Sequence, residues 1–233
     1  MKTIENKKMF LPHDDGGNIF QNLSFNECIF DNCSLSLSKN IEMLSTIKNV
    51  TLSNCQAKSC IIGPSYLKNV LIDNLNTGDI LLIWSALFDH VTLKGKIGNI
   101  KINNSGFDLY DKPEIQKKLD SLRQDFYSKT DWALDISEAK FLNFSCEGIP
   151  ADIIKRDNKT QVVIKREKFN SIEMLDSNFQ KEHSDLYFIL QMFLRSQEED
   201  IVLITPLGRD ARYHKPIFDG LMKLRKMGIA EEN

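Results

Sequence analysis

The chain has 233 residues, of which 42% are hydrophobic and 27% are charged, and its formal net charge is −2 at pH 7. This composition excludes a disordered chain, and the near-neutral charge gives no indication of a nucleic-acid or membrane partner. No stretch approaches the roughly 20 apolar residues that span a bilayer, and the first residues lack the apolar core of a signal peptide, so we expect a cytoplasmic protein. The five cysteines are odd in number, and we expect them to be reduced residues of the core.

Asparagine and arginine divide the chain near residue 110. Residues 1–110 contain 14 Asn and no Arg, whereas residues 111–233 contain 5 Asn and all 7 Arg. The two parts differ little in net charge. We therefore expect two units, 1–110 and 111–233, that differ in architecture and not in electrostatic role.

Large apolar residues recur every five positions in the stretch FQNLSFNECIFDNCSL, residues 20–35. A helix face repeats near 3.6 residues and a half-buried strand at 2, so neither element explains this spacing. We interpret the spacing as a coil with a corner every five residues, in which smaller inward residues lie two positions before the large ones. The large residues are Phe20, Phe25, Phe30 and Leu35, and the smaller ones are Leu23, Cys28 and Cys33.

A longer recurrence follows in KNVTLSN (48–54), KNVLIDN (68–74) and DHVTLKG (89–95). Its valines, Val50, Val70 and Val91, stand at the same place in each segment, and a second series of short apolar runs sits between them at the same interval. Such a period predicts a β-solenoid, because each coil must stack its parallel strands on the next to bury its apolar row. The asparagines fit corners with unusual backbone angles and side-chain ladders between coils.

Residues 18–37 resemble the pentapeptide-repeat family, in which a central Leu or Phe and a small residue two places earlier recur every five positions. The resemblance implies a mainly β fold, a right-handed parallel β-helix of about 20 residues per coil. We extend it to about residue 105 as a degenerate β-helix, followed by an α/β C-terminal segment that caps or flanks it. Small cytoplasmic proteins of this family include immunity-like proteins and topoisomerase-binding mimics of DNA.

The pattern of residues 113–128 predicts an amphipathic helix that begins at Pro113. Residues 132–149 alternate in a way that is compatible with a further coil, and a short helix, a turn and the strand VVIKR follow. Helical patterns at 184–197 and 213–229 then flank a buried strand at 200–206. We expect this helix–strand–helix unit to cover the strand edge at one end of the solenoid.

The sequence contains no recognisable catalytic, cofactor or metal motif. The four histidines have no partner at metal-site spacing, and the acids of the repeat region, such as Asp73, Asp79 and Asp89, are single turn residues. The segment Asp14–Gly17 is interpreted as a flexible acidic turn, and the basic segment 207–215 as solvated surface and not an anion site. We therefore predict no catalytic residues, no cofactor and no metal.

The function predicted from these features is a non-enzymatic protein-binding module, for example one like an immunity or antitoxin protein that neutralises another protein. The alternatives are a carbohydrate-active β-helix enzyme and a topoisomerase-binding DNA mimic, the latter disfavoured because residues 1–110 carry ten Lys against ten acids. Aromatic and arginine residues outside the coil pattern are candidates for the partner surface. They are Tyr110, Tyr127, Trp132, Arg209, Arg212 and Tyr213.

Overall fold

The computed structural model describes residues 1–38, 40–106 and 112–231 of the chain. Twelve strands form one large sheet in which every pair is parallel, so the expected mainly β architecture is confirmed. The strands are β1 (Lys2–Glu5), β2 (Lys8–Phe10), β3 (Ile19–Asn26), β4 (Ile29–Asp31), β5 (Ser34–Leu35), β6 (Ser45–Lys58), β7 (Ile61–Ile62), β8 (Ser65–Trp84), β9 (Leu87–Asn103), β10 (Leu134–Asp135), β11 (Ala139–Cys146) and β12 (Ile154–Lys155).

The longer recurrence in the sequence corresponds to the register of this sheet. Val50 of β6 pairs with Val70 of β8, and Val70 pairs with Val91 of β9. The prediction that these three valines lie one above another is therefore confirmed. The same ladder begins with Lys2 on β1, and from Leu23 on β3 to Leu134 on β10 an apolar side chain occupies this position on successive strands.

Left-handed backbone conformations recur every five residues along the first strands. This is the spacing that the sequence predicts for corners, and Asn is among the non-glycine residues that adopt the conformation most readily. Between successive corners, the rings of Phe25 and Phe30 pack edge-on with their centroids 5.3 Å apart. The left-handed residues include Asn22, Glu27 and Asn32, and then Asn49, Asn54 and Ser59, with φ between 51° and 56°.

The three long helices predicted from the sequence are confirmed within a few residues of their expected bounds, and a short one precedes the second of them. The first begins with its proline at the first helical position, where no backbone donor is needed. None of the helices in the described ranges is long and apolar enough to cross a membrane. The helices are α1 (Pro113–Tyr127), α2 (Ser177–Glu182), α3 (Ser184–Arg195) and α4 (Ala211–Lys226).

The large sheet and its core extend beyond residue 110. Helix α1 packs on the sheet through Phe126, whose ring centroid lies 6.1 Å from that of Tyr66. Strands β10 and β11 both pair in parallel with β9, so the alternating stretch 132–149 continues the sheet. The buried cluster formed by these elements reaches Ile154 and also includes Val163, Val202 and Ile204 from farther along the chain.

A second buried cluster belongs to the C-terminal segment. Strand β13 (Gln161–Lys165) pairs antiparallel with β14 (Asp200–Ile204), and α2, α3 and α4 pack beside this pair. The fully buried side chains of this cluster bring residues far apart in sequence into one apolar core. They include Val162, Ile164, Phe169, Phe179, Leu190, Leu221 and Leu224.

Hydrogen bonds join the C-terminal segment to β11, which in the described sheet pairs only with β9. The backbone N–H of Gly208 donates to the carbonyl of Phe141 at 2.8 Å, and Nε of Arg209 donates to the carbonyl of Leu142 at 2.7 Å. Carbonyl groups of a strand edge that would otherwise face water are thereby satisfied. The C-terminal segment thus covers an edge of the sheet, as the sequence pattern predicts.

The cysteines are free thiols that line the interior, as predicted. Cys28, Cys55 and Cys60 are buried, and Cys33 and Cys146 are half-buried. The first four repeat one arrangement, in which each thiol lies within hydrogen-bonding distance of the carbonyl two residues earlier and of a carbonyl on the preceding strand. Cys28 and Cys33 are five residues apart, and so are Cys55 and Cys60. The repeated arrangement explains this spacing.

The acidic turn at Asp14–Gly17 differs from its prediction as flexible. Only 7% of the surface of Asp14 is exposed, and its carboxylate accepts hydrogen bonds from the backbone N–H of Ser36 at 2.9 Å and from Oγ of Ser45 at 2.7 Å. A Cβ atom added to Gly16 would lie 2.2 Å from the carbonyl oxygen of Met43. Close packing and a buried carboxylate therefore fix this turn.

Candidate functional site

A column of asparagine side chains runs across neighbouring strands of the large sheet and ends in a histidine. Nδ2 of Asn49 donates to Oδ1 of Asn22 at 3.1 Å, and Nδ2 of Asn69 donates to Oδ1 of Asn49 at 3.1 Å. His90 takes the next step of this column, because its neighbours Asp89 and Val91 pair with the residues on either side of Asn69. Like the asparagines, it has a left-handed backbone, with φ 59°.

His90 lies between two carboxylates. Its Nδ1 is hydrogen-bonded to Asp89, and its Nε2 lies 3.3 Å from Oδ1 of Asp131. Asp131 reaches this position because β10 returns to β9 after the excursion through helix α1. The structure therefore brings together an acid–histidine–acid group from two distant parts of the chain.

An aromatic ring and a cation extend the group on the side of β10. The ring of Trp132 meets that of His90 edge-on at 4.3 Å, and the backbone N–H of His90 donates to the carbonyl of Trp132 at 3.3 Å. Nζ of Lys155 lies 3.8 Å from the centroid of the Trp132 ring, a cation–π contact. The group is half-exposed, so a ligand on the outer surface of the sheet has access to it.

Asp89 is ionised in this setting. Burial alone would raise the pKa of its carboxyl group, but hydrogen bonds from Lys68 and His90 and the charges of both outweigh this effect and hold the pKa below its ordinary value. Lys68 is the residue that pairs with Asp89 in the neighbouring strand. Asp89 therefore accepts a hydrogen bond from Lys68 on β8 and is hydrogen-bonded to His90 on its own strand, β9.

Within the described residues, Asp89, His90 and Asp131 are the side chains that lie close enough together to hold a metal ion. One ligand atom from each of Asp89, His90 and Asp131 lies within 4.8 Å of the other two. A single ion can take only one imidazole nitrogen, however, and here each nitrogen faces a different carboxylate. Asp89 is hydrogen-bonded to His90, and Asp131 lies within ion-pair distance of its other nitrogen, so a cation could bind here only after one of these two contacts opened.

The candidate partner residues lie in different places. Tyr110 lies outside the described residues. Tyr127 is buried, with 7% exposure, and its hydroxyl accepts a hydrogen bond from the backbone N–H of Phe88 at 3.3 Å, so it does not present the exposed aromatic surface that was expected. Burial also raises the pKa of its hydroxyl. Trp132, as described, belongs to the group around His90.

The other candidates lie together at the start of α4. Arg209 is anchored on the carbonyl of Leu142, and the guanidinium of Arg212 lies 4.8 Å from the ring centroid of Tyr213 and 3.7 Å from a carboxylate oxygen of Asp210. Tyr213 is 52% exposed. The side chains of Arg212 and Asp210 are 73% and 76% exposed, so this segment lies on the surface.

Helix α3 exposes large apolar side chains. Phe188, Ile189 and Met192 are 61%, 37% and 48% exposed. At about 100° per residue they span one arc of about 100°, which adjoins the arc that buries Leu186 and Leu190 in the second core. The amphipathic pattern therefore leaves an apolar face on the surface, here named the α3 face and defined by these three exposed residues.

Sequence reasoning missed both the acid–histidine–acid group and the α3 face. The only available signal for the first was that His90 replaces an asparagine in the longer recurrence, and for the second that the pattern of α3 is apolar on both sides. Comparison of the chain with models of known protein families, with curated proteins and with solved structures finds no match.

Proposed function

We propose that the chain is a non-enzymatic protein-binding module built on a right-handed parallel β-helix. Three features support the β-helix. The ladder through Val50, Val70 and Val91 places one valine on each of three successive strands. Left-handed residues recur every five positions, and side chains from several parallel strands surround one interior cavity. A sheet that wraps around its own core accounts for all three.

The α3 face is the observation that carries the binding function. Three large apolar side chains on one arc of a helix are costly to leave in water, and such contiguous exposure is typical of interaction sites. Phe and Met are adaptable anchors at protein interfaces. The helix is held by its buried side and by Arg166, which donates to the carbonyls of Phe193 and Ser196 at 3.0 Å, so the face is presented on a rigid support.

The biological role that we propose is that of an immunity or antitoxin-like protein, which neutralises another protein by covering it. This proposal rests on the likeness of residues 18–37 to the pentapeptide-repeat family and on the combination of a rigid sheet with an apolar surface. Binding of this kind requires shape and apolar area and needs no reactive group.

The experiment compares three forms of the full-length chain as bait in the native host: the wild type, Phe188→Ser with Met192→Ser, and Phe10→Ser with Met43→Ser as the control. The control pair has the same residue types and similar exposure, 60% and 46%. We expect one protein to be enriched by the wild type and by the control variant, and to be lost with the α3-face variant. Purified partner and chain should then associate with the same dependence. A partner that all three forms retain, or that only the control variant loses, contradicts the α3 face as the binding surface.

A second candidate function, a carbohydrate-active enzyme, is favoured by one observation. Asp89 and Asp131 flank His90 beside Trp132, and acids with an aromatic platform are the chemistry of many sugar sites. Against it, both nitrogens of His90 already face carboxylates, so no free base is poised. Cleavage of a polysaccharide that Asp131→Asn abolishes, without change in thermal stability, would establish this function over the binding module.

A further inference from the structure

The large sheet encloses an apolar cavity of about 400 Å³. Its walls are inward side chains of successive strands, among them Leu23, Val50 and Val70, which pair in register from β3 through β6 to β8. Three stacked strands give the cavity a length of roughly 10 Å along the stacking direction. Its volume lies within the range of small-molecule sites and is far larger than an ordinary packing defect.

One end of this cavity is sealed. On β9, the next strand of the same ladder, Val91 is 0% exposed, and Leu93 and Ile97 are nearly as buried; none of the three lines the cavity. The packing therefore becomes dense from β9 onward. The cavity is confined to the N-terminal part of the sheet.

The other end lies at the first turn of the chain. Met9, Pro12 and His13 line the cavity there, and inward residues of the first strands, such as Phe20 and Phe25, remain partly exposed although their counterparts on β9 are fully buried. Solvent therefore reaches the cavity from the N-terminal end. A ligand would enter by the same route.

The exposed first residue of β1 is a cation, on the strand that continues the cavity wall. Lys2 of β1 pairs in register with Leu23, and two residues later Ile4 pairs with Phe25, so Lys2 lies on the inward face of the first strand, directly above wall residues of the cavity. Every later position of this ladder is apolar. The carboxylate of Asp14, which also borders the cavity, already accepts hydrogen bonds from Ser36 and Ser45.

We propose that this cavity binds a single-chain anionic amphiphile, a fatty-acid-like molecule whose alkyl chain lies between the strands and whose carboxylate meets Lys2. An unfilled apolar cavity of this size leaves its walls without contacts, and such cavities take up apolar molecules from water. His13 lines the mouth and gives it a polar rim, and its Nε2 lies 2.6 Å from Oδ1 of the exposed Asp15.

The test uses the full chain, freed of lipid, and dodecanoate as the probe in calorimetric titration. We expect saturable binding of one dodecanoate per chain and a rise in thermal midpoint with ligand. Ala57 is 8% exposed, lines the cavity and pairs with Phe30. Ala57→Leu fills the cavity, so we expect at least a tenfold loss of affinity with no loss of thermal stability in the absence of ligand.

Two further variants separate the parts of the proposal. Ala86→Leu adds the same volume to the core away from the cavity, and we expect it to lower the thermal midpoint and leave affinity unchanged. Lys2→Gln should weaken dodecanoate about two- to fivefold and leave dodecanol unaffected, since one partly exposed ion pair is lost. Absence of dodecanoate binding, or binding that Ala57→Leu leaves intact while destabilising the chain, overturns the cavity site. Equal effects of Lys2→Gln on both probes overturn the role of Lys2.

Discussion

The side-chain amide of Asn69 donates to the side-chain oxygen of Asn49 at 3.1 Å, one step above the same bond between Asn49 and Asn22. Both residues of the upper pair have a left-handed backbone with φ 53°. A single residue type thus satisfies the backbone of the corner and links neighbouring strands through its side chain. This double use explains why the segment 1–110 is rich in asparagine.

Replacement of Asn69 separates these two contributions. We expect Asn69→Gly to lower the free energy of unfolding by about 1 kcal/mol, because only the ladder hydrogen bonds are lost. Asn69→Ala should cost about 2 kcal/mol, because alanine is also strained at this φ. Urea denaturation of both variants measures the difference. Equal stability of the two would show that the left-handed backbone contributes nothing.

Truncation of Val91 tests the ladder of the large sheet. Its side chain is 0% exposed and packs between the strands on either side, so we expect Val91→Ala to lower the free energy of unfolding by about 2 kcal/mol. Thr92 is the next residue of the same strand, on the opposite face, and Thr92→Ala should change stability by about 0.5 kcal/mol or less. Denaturation midpoints that shift equally for the two would contradict inward packing of Val91.

Removal of the Asp14 carboxylate should make the free energy of unfolding less dependent on pH in the acid range. Burial raises the pKa of Asp14, but hydrogen bonds from Asn18, Ser45, Gly16 and Ser36 outweigh it and hold the pKa below its ordinary value. Because the folded pKa is depressed, the stabilisation is present above the unfolded value near pH 4 and is lost as the pH falls through the folded pKa.

We therefore expect Asp14→Asn to cost about 2–3 kcal/mol at pH 7 and progressively less below pH 4. Asp15, whose side chain is 85% exposed, is the matched control, and Asp15→Asn should be close to neutral throughout. Denaturation at several pH values measures both variants. A cost of Asp14→Asn that does not decrease in acid would show that its charge is not the stabilising element.

The interior cysteines should be unreactive in the folded chain. At alkaline pH, the deprotonation of their thiols should lower the stability of the fold. Burial raises the pKa of Cys33 to about 11, with the neighbouring Cys60 adding to the shift. At pH 8 the native thiol is protonated, so we expect slow alkylation by iodoacetamide in buffer and rapid alkylation in denaturant, followed by mass spectrometry. Because the folded pKa is raised, this stabilisation is complete below pH 8.5 and is lost as the pH rises toward 11. Rapid labelling of Cys33 in the native chain would contradict the raised pKa of its thiol.

The sequence predicts the architecture correctly where the same residue type occupies equivalent positions on successive strands. Val50, Val70 and Val91 occupy the same environment on successive strands, so their spacing predicts the register directly. The bond between His90 and Asp131 has no such signal, because the chain leaves the sheet for helix α1 and nothing in the sequence states where it returns. The cavity was equally hidden, since side chains that line an open space are of the same types as those that fill a core.

Tyr127 illustrates a different limit. A tyrosine beside the apolar stripe of an amphipathic helix fits both an exposed and a buried position, because the ring is apolar and the hydroxyl is polar. The buried position of Tyr127 is stabilised by a hydrogen bond from the backbone N–H of Phe88, which lies on β9 and not on the same helix. Placement of such residues depends on partners that only the assembled fold supplies.

The hydrogen bond from Gly208 to Phe141 joins the C-terminal segment to β11, whereas the pairing of Ser45 with Ser65 and of Gln56 with Asn76 repeats the same register between β6 and β8. A segment that ends in the register in which it began can be copied in tandem without disturbing its neighbours. Duplication of the segment 50–69 in the gene should therefore lengthen the molecule by one strand spacing, about 5 Å, and leave the C-terminal closure in place. The repeated register between β6 and β8 thus marks the segment 50–69 as a place where the length of this protein can change.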